Sequence, residues 1–131
     1  MTPHSARLGA FVARTTVATL LATASQTAFA AFIDKADNTD NLNLGSSWID
    51  GVVPGSNDIV SWFQLAGANS VLLGGDLSFN GLVIGQTGGP VTIGGANLLT
   101  IGTAGIDMNA ASQNLTIDSN LAITPGSQTW N

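Results

Sequence analysis

From residue 71 onward the sequence is built of short apolar alternations, and no other feature restricts its folding so much. They are Val71-x-Leu73, Leu77-x-Phe79, Leu82-x-Ile84, Val91-x-Ile93, Leu99-x-Ile101, Ile106-x-Met108, Leu115-x-Ile117 and Leu121-x-Ile123. Successive side chains of a strand point to opposite faces, so each alternation sets two side chains on one face of a strand of three or four residues. Gly74-Gly75, Thr87-Gly88-Gly89-Pro90, Asp118-Ser119-Asn120 and Pro125-Gly126 stand between them. Gly reaches positive φ and Pro presets φ, so these are turns with a mechanism. No stretch after residue 30 keeps an i, i+3, i+4, i+7 apolar face, so helices are not expected there.

A β-sandwich or meander has similar spacing, and self-similarity separates the alternatives. "VLLGGDLSF" at 71–79 aligns with "VTIGGANLL" at 91–99, and "LTIGTAGIDM" at 99–108 resembles "LTIDSNLAI" at 115–123. A repeat of about 20 to 24 residues is the mark of stacked-coil architectures. In such a stack, short strands joined by turns form one layer, layers lie about 4.8 Å apart, and inward aliphatic side chains form ladders. Each layer depends on its neighbours for burial.

The segment ahead of the repeats reads differently. Residues 31–47 are Asn/Asp-rich and are expected to form an irregular lead-in. Pro54-Gly55 fits the central positions of a type II turn. Ile59, Val60, Trp62 and Phe63 then begin the first strand. The apolar end of a stack has to be covered, and Trp48, Trp62 and Phe63 are the expected lid. The repeat region with its aromatic cap thus spans 48–131. The strand-like "SQTWN" carries no capping pattern, so an edge open to further coils or to self-association is expected there.

Residues 1–30 read as a signal peptide. His4 and Arg7 lead into an apolar, small-residue stretch from Leu8 to Ala24, and Ala28-Phe29-Ala30 fits an A-x-A-like site with the cut after Ala30. Arg14 interrupts the run that a spanning helix would need. The chain is therefore expected to be exported, to the extracellular space or the cell surface.

Charge narrows the partners. From Ala31 on, Lys35 stands alone against eight aspartates, a net charge of −7, and the whole chain has no Glu and no Cys. Nucleic-acid binding requires Lys and Arg to displace counterions from phosphate, and anionic lipid requires the same. Neither partner is expected, and a disulfide framework is excluded.

Several segments together resemble the autotransporter-associated β-strand repeat proteins of bacteria. They are "SSWIDGVVPGSNDIVSW", "LSFNGLVIG", "GGPVTIGGANLLTIGTAGI" and "LTIDSNLAITPGSQTWN". The matches fall on Trp48, Gly51, Pro54, Gly55 and Asp58, then Gly81 and Leu82, then Thr92 to Gly95, Leu99 to Gly102, Gly105 and Ile106, and last Gln128 to Trp130. The likeness covers residues 46 to 131. It implies an all-β fold, a right-handed parallel β-helix (β-solenoid) of about three coils behind a signal-peptide helix, displayed at or released from the cell surface. It also implies an outer-membrane or adhesin setting. The outer-membrane barrel found in some members needs at least eight strands of roughly ten residues, for which this chain has no room.

The side-chain inventory sets the expected chemistry. Beyond residue 30 the chain lacks His, Cys, Arg, Glu and Tyr, which removes most general bases and nucleophiles. Glycoside hydrolysis needs two carboxylates roughly 5 to 9.5 Å apart, and Asp76, Asp107 and Asp118 are the only pairings the repeats suggest. They read as turn aspartates that accept backbone N–H bonds. Asp34, Asp37 and Asp40 lack the spacing of an EF-hand loop. Asn114-Leu115-Thr116 fits a glycosylation pattern, but Leu115 is a ladder residue. The Thr-Ile pairs at 92, 100 and 116 are spaced too irregularly for a flat threonine array. No catalytic, cofactor-binding or metal site is assigned, and no cofactor. The expected role is structural or surface display, non-catalytic. The alternative is a carbohydrate-binding or adhesin module that meets cell-surface polysaccharide, with Trp48, Trp62 or Trp130 as platforms.

Overall fold

The computed structural model describes residues 30–63, 65–128 and 130–131. The expected leader helix and all but the last residue of the expected signal peptide lie outside the described residues. Six strands follow: β1 (Phe32–Asp34), β2 (Ile59–Trp62), β3 (Asn69–Leu72), β4 (Leu77–Ile84), β5 (Val91–Asp107) and β6 (Leu115–Ile123). One short 3-10 turn at Gly45–Ser47 is the only helical element among the described residues. The fold is all-β, as the alternations predict.

Every strand pairing is parallel, in the order β1-β2-β4-β5-β3, with β6 also on β5. This rules out the antiparallel sandwich or meander. Parallel neighbours need a crossover of a dozen or more residues, and here short strands and turns supply it. Phe32 lies opposite Ile59, Ile59 opposite Gly81, Gly81 opposite Gly105, and Ile106 bridges Trp130. Paired residues are therefore 27 apart at the first step and 22 or 24 apart at each later one.

The pairing corrects the sequence alignment. Val71 lies opposite Ile93 rather than Val91, and Leu77 opposite Leu99. Leu115-Thr116-Ile117 lies on Val91-Thr92-Ile93, while Leu99 lies on Leu121. The physical reason is that a strand has period two. A shift of an even number of residues leaves every side chain on its expected face, so the apolar pattern alone does not distinguish the two alignments.

Registered side chains stack into apolar files. Ile33, Val60, Leu82 and Ile106 form one, Val71 and Ile93 a second, and Phe79 and Ile101 a third; all are buried. Each such side chain stabilises the fold by about 1.5–3 kcal/mol relative to exposure. The files are less covered at β6, where Leu115 and Ile117 are half-buried and Leu121 and Ile123 are exposed. Among the described residues β6 has only β5 as a strand neighbour.

The lead-in is more ordered than expected. Residues 31–47 contain β1, which is the first strand and pairs with β2. Leu42 is fully buried, and its N–H donates to Leu72 O at 2.9 Å. Of the three lid candidates, Trp48 and Trp62 are buried and meet edge to face with ring centroids 6.0 Å apart; Trp48 meets Phe79 in the same way at 5.8 Å. Phe63 is not part of the lid. It lies outside β2, exposed, with its ring over Gly85, where any Cβ would collide with it. The turn also differs from the expected one. Asp58 N–H donates to Gly55 O at 3.0 Å, and Gly55 N–H donates to the Asp58 carboxylate at 2.8 Å, so the turn spans Gly55–Asp58. Asp58 also accepts from Ala31 N–H at 3.2 Å and so fixes the entry to β1.

Candidate functional site

Three places have enough chemistry to be weighed as a site: the aspartates, the cap around Lys35, and one groove on the outer face. The aspartates are dispersed. Asp34 accepts from Ser61 Oγ, Asp37 from Ala66 N–H at 3.4 Å, and Asp40 from Ser46 Oγ at 2.6 Å. Each carboxylate is engaged with a different segment, and among the described residues no three His, Cys, Asp or Glu side chains converge as metal ligands. Asp76 accepts from Leu98 N–H at 2.9 Å, and Asp107 from Asn109 N–H at 2.9 Å. Along β5, Gly94 lies opposite Asp118, whereas Asp107 lies opposite Val83, thirteen residues further on. Asp107 and Asp118 therefore belong to different stretches of the sheet. Asp37, Asp58, Asp76 and Asp107 cap backbone N–H groups, whereas Asp34 and Asp40 accept from serine hydroxyls.

The cap holds a buried cation. Lys35 is 1% exposed, and its Nζ donates to Ala36 O at 2.8 Å, Asn38 O at 2.8 Å and Asn38 Oδ1 at 2.9 Å. Asn38 O also accepts from Asn69 Nδ2 at 2.8 Å, and Asn69 Oδ1 accepts from Trp62 Nε1 at 3.0 Å. Trp48 Nε1 donates to Leu42 O at 2.9 Å. A continuous polar network thus ties the lead-in to the buried face of β2 and β3. Burial pushes the Lys35 ammonium below the usual lysine range, and the nearby Asp40 and Asp37 charges oppose that shift. All three ammonium protons are satisfied, as burial of a charge requires. This lysine is a structural clamp, closed to solvent, and it leaves no room for a substrate. Nothing in the sequence pattern marks it beyond its being the lone cation in an acidic stretch.

The groove is lined by Phe32, Ile59, Gly81, Val83, Ala104, Gly105 and Asp107, with a volume of about 140 Å³. It exists because Phe32, Ile59, Gly81 and Gly105 are successive neighbours across the sheet, and the two glycines leave a trough beside the two large side chains. A side chain at Gly81 has no space, because its Cβ would stand 2.8 Å from the Ala104 methyl. Gly105 sits at φ 71°, where other residues are strained. Sequence reasoning missed this trough; the signal was the pairing of Gly81 with Gly105, visible only once the register is known. Small-molecule sites are clefts of roughly 300–1,000 Å³ with convergent polar groups. This groove is smaller, and Asp107 is its one charged group.

The tryptophan platforms fare poorly. Trp48 and Trp62 are buried, which removes two of the three candidates. Trp130 is 53% exposed, but through its bridge to Ile106 it continues the buried file of Ile33, Val60, Leu82 and Ile106. Phe32, the aromatic that lines the groove, is four strand spacings from Trp130, on the order of 19 Å at about 4.8 Å per step. No family model, curated protein or solved structure matches the chain.

Proposed function

We propose that the chain is an exported, non-catalytic display module, a right-handed parallel β-helix of about three coils behind a cleaved leader. One observation supports this most: parallel neighbours 22 or 24 residues apart recur from β2 to Trp130 with apolar files in register. Stacked coils make such files and need no helices to cross over. The capped aspartates, the small groove and the absence of His, Cys, Arg, Glu and Tyr beyond residue 30 favour a structural over a catalytic role. The resemblance to autotransporter-associated repeat proteins supplies the setting, a bacterial cell surface or the medium around it.

Expression of the full chain in a Gram-negative host, with fractionation and intact-mass measurement, tests this. The expected result is an extracytoplasmic product whose N-terminus is Ala31. A cytoplasmic product that keeps residues 1–30 overturns the export reading. A crystal structure in which the chain between Gly85 and Val91, or between Asp107 and Leu115, fails to wind in the same sense overturns the β-helix reading.

A further inference from the structure

We propose that Asp50–Gly51 is a site of spontaneous backbone modification in the folded chain, where aspartate turns into isoaspartate, and that β4 shields Asn80–Gly81 from the same chemistry. The proposal rests on two dipeptides and their surroundings, and is independent of export. They are the only places in the chain where Asp or Asn precedes Gly. The main-chain nitrogen after an Asp or Asn can attack that residue's own side-chain carbonyl carbon and close a five-membered ring. Glycine in second place helps twice: it has no Cβ to obstruct the attack, and its backbone takes conformations closed to other residues. By sequence alone Asn80–Gly81 is the faster pair near neutral pH, because a neutral amide is attacked more readily than an ionised carboxylate.

The fold reverses that order. Asn80 and Gly81 lie inside β4, and Gly81 is opposite Ile59 of β2 on one side and Gly105 of β5 on the other. Asn80 N–H donates to Asp58 O at 2.8 Å, and its side-chain oxygen accepts from the Thr103 hydroxyl at 3.3 Å. Ring closure brings the side chain and the following nitrogen onto the same side of the Cα–C bond, nearly eclipsed. A parallel or antiparallel strand, with ψ of about +115° to +135°, keeps them well apart. Rotation to the closing geometry swings Gly81 out of register, and the Ala104 methyl already stands 2.8 Å from where its Cβ would be. The reaction therefore waits for β4 to open, and slows by the fraction of time that β4 is closed.

Asp50–Gly51 is under no such restraint. Both residues are exposed, in a turn closed by Gly51 N–H to Trp48 O at 3.0 Å. Gly51 sits at φ 72°, and a Cβ built on it meets nothing within 4 Å. Release of that hydrogen bond frees the Asp50–Gly51 peptide to rotate. Gly51 N then gives up its proton and bonds to Asp50 Cγ, the Cγ–OH bond breaks, and water leaves. Water next adds to the main-chain carbonyl carbon of Asp50 and breaks its bond to Gly51 N. The chain now runs through the former side chain, one methylene longer, and the old main-chain carbonyl is a free carboxylate. The lengthened link directly follows Trp48, which bridges Lys35, and Ile49, whose N–H donates to Asp34 O at 3.0 Å. The change thus falls on the segment that ties the cap to β1.

The test is prolonged incubation of the purified chain at neutral pH and physiological temperature, folded and in guanidinium chloride. Isoaspartate is read by enzymatic methyl labelling of chymotryptic fragments, and reaction at Asn80 also by the mass gained when OH replaces NH2. In the folded chain the fragment with Asp50 is expected to carry roughly tenfold or more isoaspartate than the fragment with Asn80. In denaturant the order reverses. Asp50→Glu, whose extra methylene forbids the five-membered ring, removes the signal at that position, and circular dichroism checks its fold. If that variant does not fold, the comparison of folded and unfolded wild-type chain decides the matter. Equal or greater reaction at Asn80 in the folded chain overturns the proposal. So do a folded chain whose Asp50 stays intact, an order that does not reverse in denaturant, or labelling that survives Asp50→Glu.

Discussion

Lys35 is held by three oxygens of its own neighbours, and each of those oxygens has another donor as well. Ala36 O also accepts from Asn38 N–H at 2.7 Å, Asn38 O from Asn69, and Asn38 Oδ1 from Asp40 N–H at 3.2 Å. Removing the ammonium therefore weakens the network without orphaning it. Lys35→Met, which keeps the buried alkyl chain, is expected to cost about 1–2 kcal/mol, and Lys35→Ala about 2–4 kcal/mol because packing is lost as well. Urea unfolding of the three proteins measures both. The pH dependence has a definite sign. The folded value is lowered from 10.5, so between that lowered value and 10.5 the unfolded chain binds more protons. The burial penalty is fully present below this window and is relieved as pH rises through it. Wild-type stability minus that of Lys35→Met should therefore rise with pH across the window; a fall would show that the ammonium is favoured in its cage.

At the scale of the strand, position in the stack decides what a side chain is worth. Leu99 and Leu121 face one another across β5 and β6, yet the first is fully buried and the second 40% exposed. Leu99→Ala is expected to cost about 2–5 kcal/mol, and Leu121→Ala under about 1 kcal/mol in the monomer. Equal losses in urea unfolding would mean that β6 is covered in solution. This pair also shows what the sequence reveals. Val91, Ile93, Leu99 and Ile101 are readable as inward because alternation fixes the face of each residue. Their partners are not, because an even slip preserves that alternation, and the true register needed the loop lengths around Gly95, at φ 112°, and Gly105. The glycine trough was hidden for the same reason. The order of residues 31–47 is illegible for another reason: a segment held by side-chain bonds such as Ser47 Oγ to Asp40 O at 2.7 Å leaves no periodic trace.

Across the whole molecule, cohesion runs from one end to the other through the files, and it is strongest in the middle. β4 and β5 have strands on both sides, whereas β1 and β6 have one neighbour each. Opening free energies follow local coverage, so amide exchange should be slowest for Leu82, Val91 and Ile93. It should be faster at β6. Uniform protection from Phe32 to Ile123 would mean that the stack opens only as a unit.

The burial of Lys35 has one more effect. Beyond residue 30 it is the sole lysine, and arginine is absent, so it marks the only bond in this region that trypsin-like proteases recognise. With the side chain 1% exposed, that bond is out of reach until the cap comes undone, and enzymes of this class find no place to begin digestion within the folded region beyond residue 30.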